Sequence, residues 1–274
     1  MNPQSKNPLF DLPTLESSLA RTIFAGKLHF SPVTGSTNTD AMEAARSGAP
    51  HGSFYFTDEQ LAGRGRSDHT WHSAAGEGLY VSVLMRPCTF PNSLPMLPLI
   101  AGLAAARAVK EVSGLTVDLR WPNDLLLGPR KTGGILVEAR TEPDKIAYAV
   151  IGIGINVHQR EFAPGLATPA TSLDLESGRC TSRQELLVAL LKSLEVEMRS
   201  YYVAHAFETI PAAVEAASTW IRGKRVHVHG PQACTGVTAG LDLYGFLRVQ
   251  TENGLVTVQT GGLRAAEDAA TDIS

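Results

Sequence analysis

Three strand-forming segments between residues 116 and 157 follow one another with turn signals between them. They cover residues 116–121, 134–140 and 146–157, and the turns are marked by Gly128-Pro129 and by residues 142–144. Gly and Pro at these points predict hairpins between neighbouring strands. Strands joined by turns, with the helices in separate blocks, favour an α+β fold with a mixed or antiparallel sheet. A doubly wound parallel sheet is not expected.

Helices and strands are predicted on both sides of this segment in the sequence, and only short strands are predicted near the end of the chain. Helices are predicted over residues 9–24, 39–47 (ending at Gly48), 98–112, 184–202 and 207–218, and strands over 28–33, 53–57 and 79–85, the last stopped by Pro87. Beyond Trp220, short β-type runs predict a small barrel of five or six strands; they cover 225–229, 234–239, 245–250 and 254–259. We therefore expect a tail and short helix over 1–27, a main domain over 28–218 and a small β domain over 219–274.

Composition excludes several classes of protein. The net charge of −3 provides no overall attraction to nucleic acid or to an anionic membrane, so any anion must be bound by a local cluster. The N-terminal residues lack the apolar core of a signal peptide, and no apolar run is long enough to span a membrane. Cys88, Cys180 and Cys234 are widely spaced, which argues against a disulfide framework or a metal motif. We expect a cytoplasmic protein without a protein-ligated zinc ion.

A loop in which arginine alternates with glycine is the strongest single indication of a ligand site. Arg64 and Arg66 are each preceded by glycine, and the loop follows a predicted strand. Glycine permits close approach of the backbone to a ligand, and arginine offers a planar set of donors that suits phosphate and carboxylate oxygens. The loop therefore predicts a small anionic ligand, although a solvated basic surface loop has the same composition.

Residues 120–124, Arg-Trp-Pro-Asn-Asp, combine an apolar wall with polar groups. Asp124 could hold Mg²⁺ while Asn123 orients a phosphate or a ribose. A plain hairpin turn is the alternative interpretation, because Pro, Asn and Asp are common in turns.

A second group of polar residues lies near paired or alternating glycines. Lys131 precedes Gly133-Gly134, but Arg130 stands where a phosphate-binding P-loop requires glycine, so that motif is excluded. An exposed lysine at the end of a strand is the alternative. Residues 152–156, Gly-Ile-Gly-Ile-Asn, lack the third glycine of a dinucleotide fingerprint and predict a strand whose backbone lies close to a ligand, with Asn156 at its end.

Ser36-Thr37-Asn38 precedes a predicted helix, where such residues usually act as a cap. The same hydroxyl and amide groups could also face a pocket.

The order of these motifs is more specific than any one of them. Ser-Thr-Asn, then Gln60, the glycine–arginine loop, Trp71, Arg-Trp-Pro-Asn-Asp, Lys-x-x-Gly-Ile-Leu-Val-Glu and Gly-Ile-Gly-Ile-Asn follow in turn. This series resembles the biotin protein ligase family over about residues 28–157. The resemblance implies a class II synthetase-like ligase core over residues 28–218 and an SH3-like β-barrel after it.

The resemblance also implies an activity. Members of that family use biotin and MgATP to make biotinyl-5′-AMP, and then transfer biotin to one lysine of a biotin carboxyl carrier protein. Lys131 and Arg66 would be the catalytic residues, and Asp124 would hold Mg²⁺. The implied biotin-binding residues are Ser36, Thr37, Asn38, Gln60, Arg64, Gly65, Arg66, Lys131 and Gly134. The implied residues for ATP and the adenylate are Arg66, Trp71, Asn123, Asp124, Lys131 and Asn156.

Two departures from the family pattern and two alternatives accompany this interpretation. Asp68 stands where the family usually has glycine, and Arg120 replaces the commoner lysine. The 35 residues before Ser36 leave no room for a helix-turn-helix, so we expect no DNA-binding function.

A lipoate or octanoate ligase of the same fold is one alternative. A nucleotide- or nucleic-acid-binding module without ligase activity is the other.

Overall fold

A computed structural model of the protein describes residues 10–66, 69–86, 93–203 and 209–266. Asp68, Pro87, Cys88 and Phe207 lie outside these ranges. The helices of the described residues are α1 (Leu12–Leu19), α2 (Thr37–Arg46), α3 (Met96–Ser113), α4 (Leu173–Ser177), α5 (Arg183–Val203) and α6 (Thr209–Ala216). The strands are β1 (Leu28–Thr34), β2 (Phe54–Gln60), β3 (Gly78–Met85), β4 (Asp118–Arg120), β5 (Asp124–Leu127), β6 (Arg130–Thr141), β7 (Ile146–Asn156), β8 (Arg222–His229), β9 (Cys234–Leu241), β10 (Leu247–Thr251), β11 (Gly254–Val258) and β12 (Gly262–Ala265).

The first seven strands form one sheet in the order β1-β2-β3-β7-β6-β5-β4. Only β1 and β2 run parallel, and every other neighbouring pair is antiparallel. The predicted α+β class with a mixed sheet is thus confirmed. The hairpin of β6 and β7 is its longest ladder, with Gly133 paired to Ile155 at one end and Thr141 to Ile146 at the other.

Helices cover both faces of this sheet. Every residue of β3 is buried, as expected for a central strand with both faces covered. Leu79, Val81 and Val83 belong to the main core, to which α3 and α5 contribute many residues. Leu84 on the opposite face packs with Ala41 of α2. The face of β3 that carries Tyr80 and Ser82 is therefore the face on which α2 lies.

The last five strands form a separate antiparallel sheet in the order β11-β10-β9-β8-β12. This sheet is consistent with the expected SH3-like domain. Its edge strands are β11 and β12. The buried indole of Trp121 joins it to the rest of the molecule, because Nε1 donates a hydrogen bond to the Gly245 carbonyl oxygen at 3.0 Å.

Several predicted bounds were wrong. The first helix is only Leu12–Leu19, capped by the Asp11 side chain, and α2 begins at Thr37, two residues early. The strand predicted over 116–121 covers only Asp118–Arg120. Three short elements were missed: β5, β12 and α4. Each has four or five residues, which is too few for a hydrophobic period to be visible.

Among the described residues, no helix is both long and apolar enough to cross a bilayer.

Candidate functional site

A cavity of about 820 Å³ lies over the α2 side of β3, β7 and β6, and the C-terminal sheet closes one end. All thirteen residues that the sequence motifs predict for a ligand site line it: Ser36, Thr37, Asn38, Gln60, Arg64, Gly65, Arg66, Trp71, Asn123, Asp124, Lys131, Gly134 and Asn156. Residues separated by more than a hundred positions therefore meet in one place. Their individual roles remain predictions.

The floor of the cavity is a chain of buried hydrogen bonds. The Thr37 backbone N–H, at the start of α2, donates to Gln60 Oε1 at 2.9 Å. The Thr37 hydroxyl lies 2.7 Å from Ser82 Oγ, which in turn donates to Asn38 Oδ1 at 2.6 Å. Ser82 is fully buried and was missed by sequence reasoning. Its signal was a single hydroxyl within the apolar run of β3.

Ser36 does not act as the expected cap. It occupies the position before α2 with an extended backbone, but its side chain makes no capping hydrogen bond. The Gln60 side chain satisfies a free N–H of the first turn instead, as helix ends require. The Ser36 hydroxyl therefore lines the cavity without a capping duty.

Glycines on β6 and β7 let other groups come close to the sheet. A Cβ on Gly152 would lie 2.1 Å from Asn38 Oδ1, and one on Gly154 would lie 2.6 Å from Trp71 Nε1. Gly134 is paired with Gly154 across the two strands, so the indole of Trp71 lies over two adjacent glycines. The approach of a ligand to this backbone therefore stays a prediction, and the groups that lie against the two glycines are Asn38 and Trp71.

Lys131 and Arg120 both contact the carboxylate of Asp124. Lys131 Nζ lies 2.5 Å from Oδ1, and Arg120 Nη2 lies 2.7 Å from Oδ2. Burial alone would raise the pKa of Asp124, but the two cations outweigh it and hold that pKa below its ordinary value. Asp124 is thus a carboxylate anion whose two oxygens are already engaged.

This geometry does not fit Asp124 as a magnesium ligand. A cation already contacts each carboxylate oxygen, and these two nearby positive charges disfavour a divalent ion at the same group. Magnesium also prefers substrate phosphates together with a few carboxylates over a closed protein cage.

Arg120 makes contacts that a lysine could not make together. Its guanidinium binds Asp124 through Nε and Nη2, donates to Thr168 Oγ1 at 2.8 Å, and lies 5.2 Å from the centre of the Trp220 ring. A planar fork can pair with a carboxylate and stack on a ring at once. Arginine at this position, where the family more often has lysine, therefore connects the loop at Thr168 with Trp220 at the start of the C-terminal region.

The two arginines of the loop have different partners. Arg64 Nη2 lies 2.7 Å from Glu138 Oε2, whereas Arg66 Nη1 donates to the Gly261 carbonyl oxygen at 3.1 Å. Arg66 also reaches Asn123 Oδ1 at 3.4 Å. The loop therefore lies between β6 and the C-terminal sheet.

The two predicted asparagines are held by the protein itself. Asn123 Nδ2 donates to the Ile135 carbonyl oxygen at 2.9 Å. Asn156 Nδ2 donates to the Thr171 carbonyl oxygen at 3.0 Å, and Asn156 Oδ1 accepts from Gln159 at 3.4 Å. These hydrogen bonds fix the orientation of both amide side chains at the wall of the cavity.

The side chains of His158, Asp174 and Cys180, which are all of types that can bind a metal ion, lie together in a cluster that the residue spacing did not predict. Asp174 uses both oxygens within the protein, since Oδ2 lies 2.7 Å from His158 Nδ1 and Oδ1 accepts from the Thr181 N–H at 2.8 Å. Its contacts hold the segment around α4 in place.

Comparison with known proteins agrees with this arrangement. The model of the biotin/lipoate A/B protein ligase family matches residues 30–156. The biotin--[acetyl-CoA-carboxylase] ligase of Mycobacterium tuberculosis is 33% identical over 236 residues, which is 83% of this chain and 85% of that protein. The chain belongs to the biotin/lipoate A/B protein ligase family.

Other members of this family are similar over most of the chain. The bifunctional ligase/repressor BirA of Bacillus subtilis is 32% identical, covering 89% of this chain and 76% of that protein. A biotin protein ligase from Aquifex aeolicus, solved with biotin and ATP, is 30% identical and superposes with a TM-score of 0.75, covering 87% of this chain and 98% of that one. The likeness thus extends beyond the motif region into the C-terminal sheet.

Proposed function

We propose that the protein is a biotin protein ligase, which activates biotin with ATP and transfers it to a lysine of a biotin carboxyl carrier protein. One observation carries the proposal: Arg64, Arg66 and Lys131 line the same cavity as the buried polar floor formed by Thr37 and Asn38. A cationic loop over a neutral polar floor suits a ligand with a polar ring at one end and a carboxylate at the other. The names of the similar family members support this choice of ligand.

The floor would receive the ureido ring of biotin. Its carbonyl oxygen and two N–H groups need hydrogen-bond partners, because an unpaired buried polar group costs about 1–3 kcal/mol. Ser36, Thr37, Asn38 and Gln60 offer both donors and acceptors there. Because the network of hydrogen bonds beneath them is buried, these groups would keep their orientation when the ring enters.

The cationic end would stabilise the first reaction. A biotin carboxylate oxygen attacks the α-phosphorus of ATP. The bond between that phosphorus and the oxygen bridging to the β-phosphate breaks, and pyrophosphate leaves. Negative charge gathers on the phosphorus oxygens, and positioned cations that face this charge lower the barrier. We assign that role to Lys131, with Arg64 and Arg66 on the carboxylate and α-phosphate. Magnesium would enter with the nucleotide phosphates.

The second reaction needs the adenylate to remain in the cavity. The carrier lysine amine attacks the carbonyl carbon of biotinyl-5′-AMP, AMP leaves, and the amine loses a proton as the amide forms. Water would hydrolyse the same mixed anhydride, so the cavity must exclude it. Arg66 is suited to this task because it spans the gap between the loop and Gly261 of the C-terminal sheet.

We also propose that residues 28–218 are the catalytic domain and residues 219–274 a C-terminal domain that completes its wall. The division between them falls after α6, which ends at Ala216, and before β8, which begins at Arg222. Because His229 and Arg264 line the cavity, the C-terminal domain contributes to the site itself.

Exchange of label between pyrophosphate and ATP tests the proposal. Purified protein would be supplied with Mg²⁺ and, in separate reactions, biotin, lipoate or octanoate. Exchange that depends on biotin supports the proposal. Exchange with lipoate or octanoate alone would replace it with the sister activity of the family, and no exchange with any of the three would refute carboxylate activation.

A further inference from the structure

We propose that Glu138 is a positioning residue, which fixes the amide of Asn38 on the cavity floor and retains Arg64 over the cavity until a ligand carboxylate takes its guanidinium. This inference rests on the proposed function for its kinetic part only. Glu138 lies on β6 and belongs to none of the predicted ligand contacts.

One oxygen atom of Glu138 joins two separate parts of the site. Its Oε2 accepts from Asn38 Nδ2 at 2.8 Å and from Arg64 Nη2 at 2.7 Å. Asn38 belongs to α2, and Arg64 belongs to the glycine–arginine loop. Because both donors converge on one carboxylate, the floor and the loop are coupled through a single side chain.

The amide of Asn38 has one orientation as a result. A carboxylate can only accept, so it must face the NH₂ group, while Ser82 Oγ donates to Asn38 Oδ1 at 2.6 Å on the other side. The amide is buried against Gly152, where it has no room to turn over without losing both bonds. Oδ1 keeps its second lone pair for a ligand N–H group.

Arg64 is held less firmly than Asn38. Its side chain is 45% exposed, and that of Glu138 is 27% exposed. A partly exposed ion pair of this kind contributes little free energy, so a ligand carboxylate can compete for the guanidinium. Glu138 would then keep Asn38 in place while Arg64 turns to the ligand.

Two substitutions separate these roles. Glu138→Gln keeps an oxygen that can accept from Asn38 Nδ2 but removes the charge that holds Arg64. Glu138→Ala removes both. Glu142→Gln is the matched control, because Glu142 lies just beyond β6 and pairs with Lys145 at 3.1 Å, away from the cavity.

Limited trypsin digestion tests the hold on Arg64 without any assumption about activity. Trypsin must bind the arginine side chain before it cleaves the following bond. In protein without added biotin or ATP, both Glu138 variants should be cleaved after Arg64 several times faster than the wild type, and Glu142→Gln should match the wild type. Equal cleavage rates for all four proteins would overturn the retention of Arg64.

Steady-state exchange kinetics test the hold on Asn38. Glu138→Ala should raise KM for biotin about tenfold and change kcat less than about threefold, since the Asn38 amide loses the charge-assisted hydrogen bond that orients it before the ligand binds. Glu138→Gln should recover most of the affinity. An unchanged KM in Glu138→Ala, or a fall in kcat alone, would overturn the positioning role. A wild type that shows no exchange would instead refute the proposed function and leave the digestion result valid.

Discussion

The ammonium group of Lys131 lies 2.5 Å from the carboxylate of Asp124, on the strand that pairs with its own. This contact places the cation beside the cavity and holds it there, with Arg120 on the other oxygen of the same carboxylate. Lys131 therefore has a fixed position from which it can face a developing phosphate charge.

Lys131→Ala should lower adenylate formation by about 10²- to 10³-fold, the range for loss of one positioned charge-stabilising group. The free energy of unfolding should fall by about 1–3 kcal/mol, because the largely buried Asp124 loses one cation but keeps Arg120 as a partner. Pyrophosphate exchange and thermal unfolding measure the two effects. Lys145→Ala, at an exposed ion pair, is the control for loss of a lysine. Activity within a few-fold of the wild type would show that Lys131 is only structural.

Arg66→Gly should release biotinyl-5′-AMP into solution, because the variant loses the contacts with Gly261 and Asn123 that close the loop. The released anhydride would label lysines of a bystander protein such as albumin, and avidin blotting would detect that label. Arg21→Gly, at an exposed position in a turn, should label nothing but the carrier. Retention of the intermediate by Arg66→Gly would contradict this role.

Gly152→Ala should disturb the floor of the cavity directly. The added methyl group would lie 2.1 Å from Asn38 Oδ1, so either the amide or the strand must move. Overpacking of this kind costs about 1–3 kcal/mol of stability. KM for biotin should rise as well. Gly35→Ala is the control, since a Cβ there meets nothing within 4 Å, and urea unfolding of both variants provides the comparison. Equal stability of the two would contradict the prediction.

His51 should make the protein less stable in mild acid. Burial, together with the charges of Lys27 and Arg86, lowers the pKa of His51, and its Nδ1 accepts the Arg86 N–H at 3.0 Å. The unfolded chain binds a proton at this histidine near its ordinary pKa of about 6.5, while the folded chain resists protonation. The stabilising contribution is therefore complete above that pH and declines as the pH falls below it.

Urea unfolding midpoints between pH 7.5 and pH 5 measure this effect. The wild type should lose stability over that interval, and His51→Gln should lose less, because its amide can accept the same hydrogen bond without titrating. Parallel pH profiles for the two proteins would show that His51 does not contribute. His229, whose pKa is also lowered by burial, should account for part of the remaining slope.

Local sequence predicted the long elements well and the short ones poorly. β7 and α5 were recognisable because their apolar residues extend over ten or more positions, and β6 was recognisable from a shorter apolar run beside the turn at 142–144. The four residues of β5 carry no such repeat, yet the strand places Asp124 opposite Gly134 and close to Lys131. An ion pair that anchors the site therefore depends on an element that local patterns did not indicate.

The roles of polar groups were predicted less completely than their positions. Asp124 was expected to hold a metal, but Lys131 and Arg120 engage both of its oxygens. Ser36 was expected to cap a helix, and Gln60 satisfies the helix end instead. Lys131 and Gln60 lie outside the motifs that they affect, so those motifs alone could not show these partners, whereas Arg120 belongs to the same motif as Asp124.

The sequence by itself determined the family, the mixed sheet and thirteen of the residues that line the cavity, because motif order and hairpin turns are properties of the chain. The tertiary structure alone decided which of those groups remain available to a ligand. Strand register across β3, β7 and β6 brings Ser82 opposite Gly152, and Gly152 opposite Leu136. This register depends on packing between segments far apart in the chain, and it is what places Asn38 and Glu138 in contact.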